Sequence, residues 1–340
     1  MRIRRTLALG ASIMALVSAC STGGGSSATP SSAPSSAPSE AASAPASAPA
    51  STEPSAAPSE AATNPTIRLG SDGFYEAKLM AEIYGQALEA AGYTVDRTAI
   101  GIGARKVSAP ALESGQFDLK PEYIGSGLAF YDPGAQTGDP MVNWAALQAV
   151  LSGKGGGITV LQFSPAADQN AFVVRKETAD QYKLTKMSDL AAVQDKLKFG
   201  VATDCPTNPV CGKALKDAYG IDVANATKLS ACDTPMAQAL KGKTIDVAEL
   251  CSTQPDIAVN GWVVLQDDKA TQPADNIAPL VRNDLLAKLA DKNGFINILN
   301  QVSAAMDTAT LTDLGKQIAV DNKDIAAVAT AWLQSKSLVH

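Results

Sequence analysis

Between Thr66 and Leu119 the chain alternates two kinds of patterning, and that alternation most limits the folds open to it. Thr66-Ile67-Arg68-Leu69-Gly70 reads as a strand. Tyr75 to Ala91 then places Leu79, Ile83 and Ala87 on one helical face, widened by Met80, Tyr84 and Leu88, with Gly92 as its stop. Tyr93 to Ile100 is a second strand. Arg105 to Ser114 is a second helix followed by Gly115, and Gln116 to Leu119 opens a third strand. Strand, helix, strand, helix, strand implies a parallel sheet with right-handed crossovers.

The middle of the chain repeats this order. Trp144 to Leu151 reads as a helix and Gly153 to Gly157 as a flexible turn. Ile158 to Phe163, Ala171 to Arg175, Phe199 to Ala202 and Ile245 to Leu250 are strand candidates. Ser188 reads as a helix cap, Cys211 to Tyr219 as a helix closed by Gly220, and Pro235 to Leu240 as another. From Asp284 onward the pattern is mostly amphipathic helix, with Phe295, Ile298, Leu299 and Val302 on one face and Ile325, Val328, Ala329 and Trp332 on the last. The 275 residues from Thr66 to His340 suit two α/β lobes better than one core. The expected layout has the chain crossing twice between lobes, with a ligand in the cleft and the loops after strands as the places to look.

What precedes Thr66 is different in kind. A basic head, Met1 to Arg5, leads into an apolar run from Leu7 to Val17 and then Val17-Ser18-Ala19-Cys20. This resembles a lipoprotein signal peptide over 1–19, with Cys20 as the lipidated residue of the mature chain. From Ser21 to Pro65 the composition is nearly all Ser, Ala, Pro, Gly and Thr, which cannot bury enough apolar surface to offset ordering entropy. At about 3.1 Å per residue in extended polyproline geometry, such a tether spans roughly 100 Å or more. The expected location is therefore extracytoplasmic, lipid-anchored to a bacterial membrane. Loss of residues 1–19 removes Arg2, Arg4 and Arg5 and takes the formal charge from −6 to −9, which argues against nucleic acid as a partner.

Cysteine and histidine usage narrows the chemistry. Besides Cys20 there are Cys205, Cys211, Cys232 and Cys251. An even number in an oxidising compartment suggests two disulfides, and 205–211 with 232–251 closes the two shortest loops. The spacings are poor for zinc and no histidine lies near, since the one histidine is His340. No Ser-His-Asp or Cys-His mechanism is available on that count, and no cofactor is expected. Asp118 and Glu122 are conceivable as paired carboxylates of a hydrolase, but nothing else supports that reading.

Ser71-Asp72-Gly73-Phe74-Tyr75 joins a strand to a helix and could hold an anionic group at the helix start, or simply cap it. In Asp118-Leu119-Lys120-Pro121-Glu122-Tyr123-Ile124-Gly125, Asp118 is expected to end a strand and Pro121 to occupy the first turn of a helix.

Several segments, taken together, resemble the osmoprotectant-binding proteins of ABC transporters, which bind glycine betaine, choline and carnitine. They are Ile67 to Ser71, Leu79 to Tyr84, Ala111 to Leu119, Pro121 to Leu128, Ser252 to Ile257 and Leu265 to Lys269, in family order over Thr66 to about Leu285. The resemblance implies a two-lobe, type II periplasmic-binding-protein fold of class α/β. It places crossovers near Leu119-Lys120 and Cys251-Ser252, giving lobe one as 66–119 plus 252–340 and lobe two as 120–251. It also implies a monomer that captures a small-molecule ligand and delivers it to an ABC permease, and an aromatic cage for a trimethylammonium group.

The sequence departs from that family at Asp72, Lys120 and Cys251, where lysine, tyrosine and tyrosine are frequent. The cage would then draw on Phe74, Tyr75, Tyr123 and Phe172, although Phe172 sits in an apolar strand and reads better as core. Lys120 suits a ligand carboxylate or a solvated hinge, and Asp72 suits a cation. The candidate ligand-binding set is Ser71, Asp72, Phe74, Tyr75, Asp118, Lys120, Tyr123, Asn170, Ser252 and Thr253. Non-reducing peptide mapping is expected to recover no free thiol among the four downstream cysteines; a labelled thiol at 205 or 251 would break the pairing.

Overall fold

The computed structural model describes residues 64–339. The signal-peptide, lipidation and tether readings, and residue His340, lie outside the described residues. Two five-stranded sheets organise the rest. In chain order the elements are β1 (Ile67–Asp72), α1 (Tyr75–Ala90), β2 (Val95–Gly103), α2 (Arg105–Glu113), β3 (Leu119–Tyr123), α3 (Ile124–Tyr131), α4 (Pro140–Leu151) and β4 (Ile158–Val160). Then follow β5 (Asn170–Val174), α5 (Lys176–Tyr182), β6 (Phe199–Ala202), α6 (Gly212–Ala214), β7 (Thr227–Leu229), α7 (Thr234–Lys241), β8 (Val247–Cys251), α8 (Asp256–Val259) and β9 (Val263–Val264). The chain ends with β10 (Ile277–Arg282), α9 (Asn283–Leu286), α10 (Lys292–Ala305), α11 (Thr308–Ala319) and α12 (Ile325–Ser335).

The first sheet has the order β2-β1-β3-β10-β4 and the second β7-β6-β8-β5-β9. β1 pairs parallel with β2 and β3, as the strand–helix alternation requires. β10 returns antiparallel to β3 and β4, and β5 lies antiparallel to β8 and β9, so both sheets are mixed. One core unites α1, β1 and the C-terminal helices through Leu79, Ile83, Phe295, Leu299, Val328 and Trp332. Tyr84 finds its polar partner inside that core, 2.8 Å from the Ser303 hydroxyl.

Sheet membership moves the lobe boundaries from where the resemblance put them. Residues 120–160 belong to the first lobe, because β3 is the middle strand of its sheet and β4 its edge. The chain crosses to the second lobe between β4 and β5 and returns between β9 and β10. The two crossing segments touch through an antiparallel bridge, Ala167 with Asn276, and Asp168 donates its amide to the Asp275 carbonyl at 3.0 Å. The second lobe thus runs from β5 to β9 and contains Ser252 and Thr253.

Pro121 explains the misplaced first crossover. It reads as a helix start, yet it lies mid-strand in β3, opposite Pro279 of β10. Neither residue has an amide to donate, so this register sets the two missing donors against each other. The helix begins three residues later, at Ile124. Ser188 is not a cap either. Lys186 holds that position before a 3₁₀ turn, and the Asp189 carboxylate accepts its amide and that of Thr185, while Ser188 bonds to Asp268.

The second lobe carries both disulfides, Cys205–Cys211 and Cys232–Cys251, in the pairing that closes the shorter loops. Among the described residues no helix is long and apolar enough to cross a membrane. A Cβ at Gly70 in β1 would sit 2.6 Å from the ring of the fully buried Phe117. Gly70→Ala is expected to lower stability by about 1–3 kcal/mol in urea denaturation, as overpacked cores do; an unchanged midpoint would show that the ring gives way.

Candidate functional site

A cavity of about 330 Å³ opens where the two sheets face each other. The carboxyl ends of β1, β2 and β3 reach it from the first lobe, and those of β6, β7 and β8 from the second, as open α/β sheets place their ligands. The crossing segments add Asp168, Gln169, Asn170 and Asp275.

The first lobe builds its wall on a closed ion network. Lys120, fully buried on β3, donates to Asp72 at 2.9 Å, Glu122 at 3.0 Å and the Ser108 hydroxyl at 2.9 Å. Ser108 in turn donates to Asp72. Arg105, at the start of α2, donates to Glu122 at 2.9 Å and to the Ser126 hydroxyl at 2.7 Å. Burial alone would raise Glu122, but Arg105 and Lys120 beside it hold it down at about 2. Asp72 and Arg105 reach the cavity, while Lys120 and Glu122 lie behind them. Lys120 is therefore a buried counter-ion and not a solvated hinge residue or a cavity group. Arg105 was missed in the sequence, where only its place after a strand ending in Gly-Ile-Gly-Ala marked it.

Phe74 and Tyr123 are the aromatic side chains lining the cavity among the described residues, with ring centroids 5.7 Å apart and planes tilted by 37°. Tyr123 donates its hydroxyl to Glu76 at 2.7 Å, and the other Glu76 oxygen accepts from Thr253 of the second lobe at 2.6 Å. Burial first, and then the neighbouring Asp168, push Glu76 well above the usual carboxylate range. Asp168 accepts from the Ser252 hydroxyl and the Thr253 amide, each at 2.9 Å, and burial still raises it to about 6. Ser252 and Thr253 thus brace the crossing segment, and neither lines the cavity. Asn170 does line it, anchored to the Val210 carbonyl at 3.4 Å.

Four expected residues lie elsewhere. Ser71 turns inward, donating to the Asp72 carbonyl and accepting the Gly101 amide, so no hydroxyl is left for an anion at the start of α1. Tyr75 is buried, with its hydroxyl close to Gly315 of α11. Asp118 sits at the opposite end of the sheet, paired with Arg68 at 2.6 Å, because it immediately precedes β3 and does not end a strand. Phe172 packs in the second lobe's core.

The cavity has more acid than base. Asp72, Asp168, Asp204, Glu249 and Asp275 line it, against Arg105. Asp275 accepts the Gly125 and Ser126 amides at the start of α3, yet burial raises it to about 7. Burial likewise raises Glu249 to about 7. The Cys232–Cys251 bridge completes the second lobe's wall. Two acid–cysteine groupings lie close enough to hold a metal, but their sulfurs are consumed in disulfides.

Lys120→Met leaves buried Asp72 without a cation and Glu122 with Arg105 alone, and is expected to cost about 3–5 kcal/mol of stability in urea denaturation. A loss below 1 kcal/mol would show that water replaces the ammonium.

Comparison with known proteins fits this geometry. Residues 65–335 match the family model described as the substrate-binding domain of the ABC-type glycine betaine transport system. The chain is 27% identical over 286 residues to the glycine betaine-binding protein YehZ of Escherichia coli, covering 79% of this chain and 90% of that protein. It is 24% identical to the carnitine transport binding protein OpuCC of Listeria monocytogenes, covering 81% and 88%. A solved glycine betaine/carnitine/choline ABC transporter structure superposes with a TM-score of 0.59 at 23% identity, covering 80% of this chain and 99% of that one. Two mixed sheets, a cleft at their strand ends and a match over residues 65–335 place the chain in the family of substrate-binding domains of ABC-type glycine betaine transport systems.

Proposed function

We propose that the chain captures a small quaternary-ammonium or zwitterionic solute of the glycine betaine, choline or carnitine type and hands it to an ABC permease. The observation that carries this reading is the cleft itself: one aromatic pair, Phe74 and Tyr123, inside a cavity whose carboxylates outnumber its cations. A trimethylammonium group lies favourably on aromatic faces and in negative potential. Arg105 supplies the complementary group for a ligand carboxylate; its guanidinium has donors beyond those committed to Glu122 and Ser126. Asn170 adds a polar contact from the crossing segment. Binding would close the lobes about those segments, in the hinge manner of two-lobe receptors. No bond is made or broken in this role.

In this reading the protein is an extracytoplasmic monomer, held to the membrane by lipid on Cys20 and spaced from it by residues 21–65. Ser71, Lys120, Ser252 and Thr253 position the site from behind, and Tyr75 belongs to the packing against α11.

Calorimetric titration of the mature chain with glycine betaine, choline and carnitine tests the ligand class. Micromolar binding of at least one, about −8 kcal/mol, is expected. Phe74→Ala should weaken it by roughly three- to thirtyfold, the range of a cation–π contact. Silence from all three ligands would remove the ligand class.

A further inference from the structure

We infer that Glu249 is a specificity-determining residue of the cleft: its carboxylate supplies, from the lobe facing the aromatic pair, the counter-charge to the ligand's cationic head. This role rests on the cleft being the cation- or zwitterion-binding site proposed above.

Glu249 is the middle residue of β8, opposite Phe172 of β5, and is 2% exposed. Among the described residues its carboxylate accepts one hydrogen bond, from the Ala202 amide at 2.7 Å. Of the other four carboxylates of the cavity, the buried three are better provided, while the carboxylate of the half-buried Asp204 has solvent. Asp72 has Lys120, Asp275 has two amides, and Asp168 has a hydroxyl and an amide. A buried carboxyl with one neutral donor, on the wall of a cavity, has unspent capacity for a cation.

The arrangement of the two lobes gives that capacity a direction. Both aromatic rings of the cavity come from the first lobe, so a cation resting on them turns its far side to the second lobe. The negative groups there are Glu249 and Asp204, and Asp204 is the more exposed, so solvent weakens its field. A quaternary ammonium has no N–H to donate, and what a carboxylate offers it is charge alone. Choline, with no carboxylate of its own, should depend on Glu249 more than glycine betaine does.

Burial raises Glu249 to about 7, the Ala202 amide opposes it, and of the nearby charges Asp204 raises it and Lys228 of β7 lowers it. The adjacent Cys205–Cys211 bridge does not titrate. Across the cavity stand Asp72 with Lys120, Arg105 with Glu122, Asp168 and Asp275. A bound cation favours the ionised carboxyl, so below about pH 7 binding must expel a proton, and above it affinity levels off. Asp168 and Asp275, raised to about 6 and about 7, add their own slope, which survives replacement of Glu249.

The test titrates choline and glycine betaine into the full mature chain and into Glu249→Gln and Glu249→Asp, on both sides of pH 7 and in buffers of different ionisation heat. Wild type is expected to release protons on binding choline below pH 7. Glu249→Gln should weaken choline by about tenfold or more, weaken glycine betaine less, and release fewer protons. Glu249→Asp, which keeps the charge, should retain the proton release. Wild-type affinity and proton release in Glu249→Gln would overturn this role and leave the proposed function standing. If Glu249→Gln does not fold, Glu249→Asp decides: the shorter side chain draws the charge back from the cation and should weaken choline more than glycine betaine, and equal change in the two affinities overturns the role as well. Silence of wild type toward both ligands and carnitine overturns both readings.

Discussion

The buried ammonium of Lys120 is the interaction on which the first lobe's half of the cleft depends. It sits on the middle strand of the sheet and ties three elements at once: the end of β1 through Asp72, α2 through Ser108, and β3 itself through Glu122. Glu122 then holds Arg105, and Arg105 holds Ser126 at the start of α3. An ammonium removed from water is tolerated only when its donors are met, and here all three are. Because each partner is also bonded to another, the wall behaves as one unit, and the side chains it presents to the cavity have little freedom to reorient. That rigidity limits the entropy lost when a ligand settles against them.

The crossing segments and the second lobe's wall are less compensated. Burial raises Asp168, Asp275 and Glu249 to about 6, about 7 and about 7. These values lie above those of an unfolded carboxylate, near 4. Between those limits the folded protein holds protons that the unfolded chain has lost. Its stability therefore falls as pH rises through that window. A cation in the cleft offsets the same charge, so ligand binding and proton binding compete for one set of oxygens.

Much of the fold was legible in residues with local consequences. The face of Leu79 and Ile83, the stop at Gly92 and the positive backbone angle of Gly220 each act within a turn or two of chain. Phe172 read as core for the same reason. What was not legible is what depends on partners far along the chain. Pro121 looks like a helix start until Pro279, in a strand far downstream, is set against it. Asp118 and Asp72 are both acids at strand termini, and only the sheet order reveals that one faces Arg68 and the other the cavity. Arg105 and Glu249 carried no short motif. Their significance lies in what surrounds them, and composition alone does not encode that.

The Cys232–Cys251 bridge has a consequence for when the protein becomes competent. Both cysteines line the cavity, and the bridge fastens the turn after β7 to the end of β8. Sulfurs held apart as thiols would leave that turn untied and part of the wall unset. Cytosolic thiols are kept reduced, whereas an exported chain meets oxidising conditions. Where the two thiols stay reduced, that stretch of the wall is held by packing alone, and oxidation is the step that fixes it.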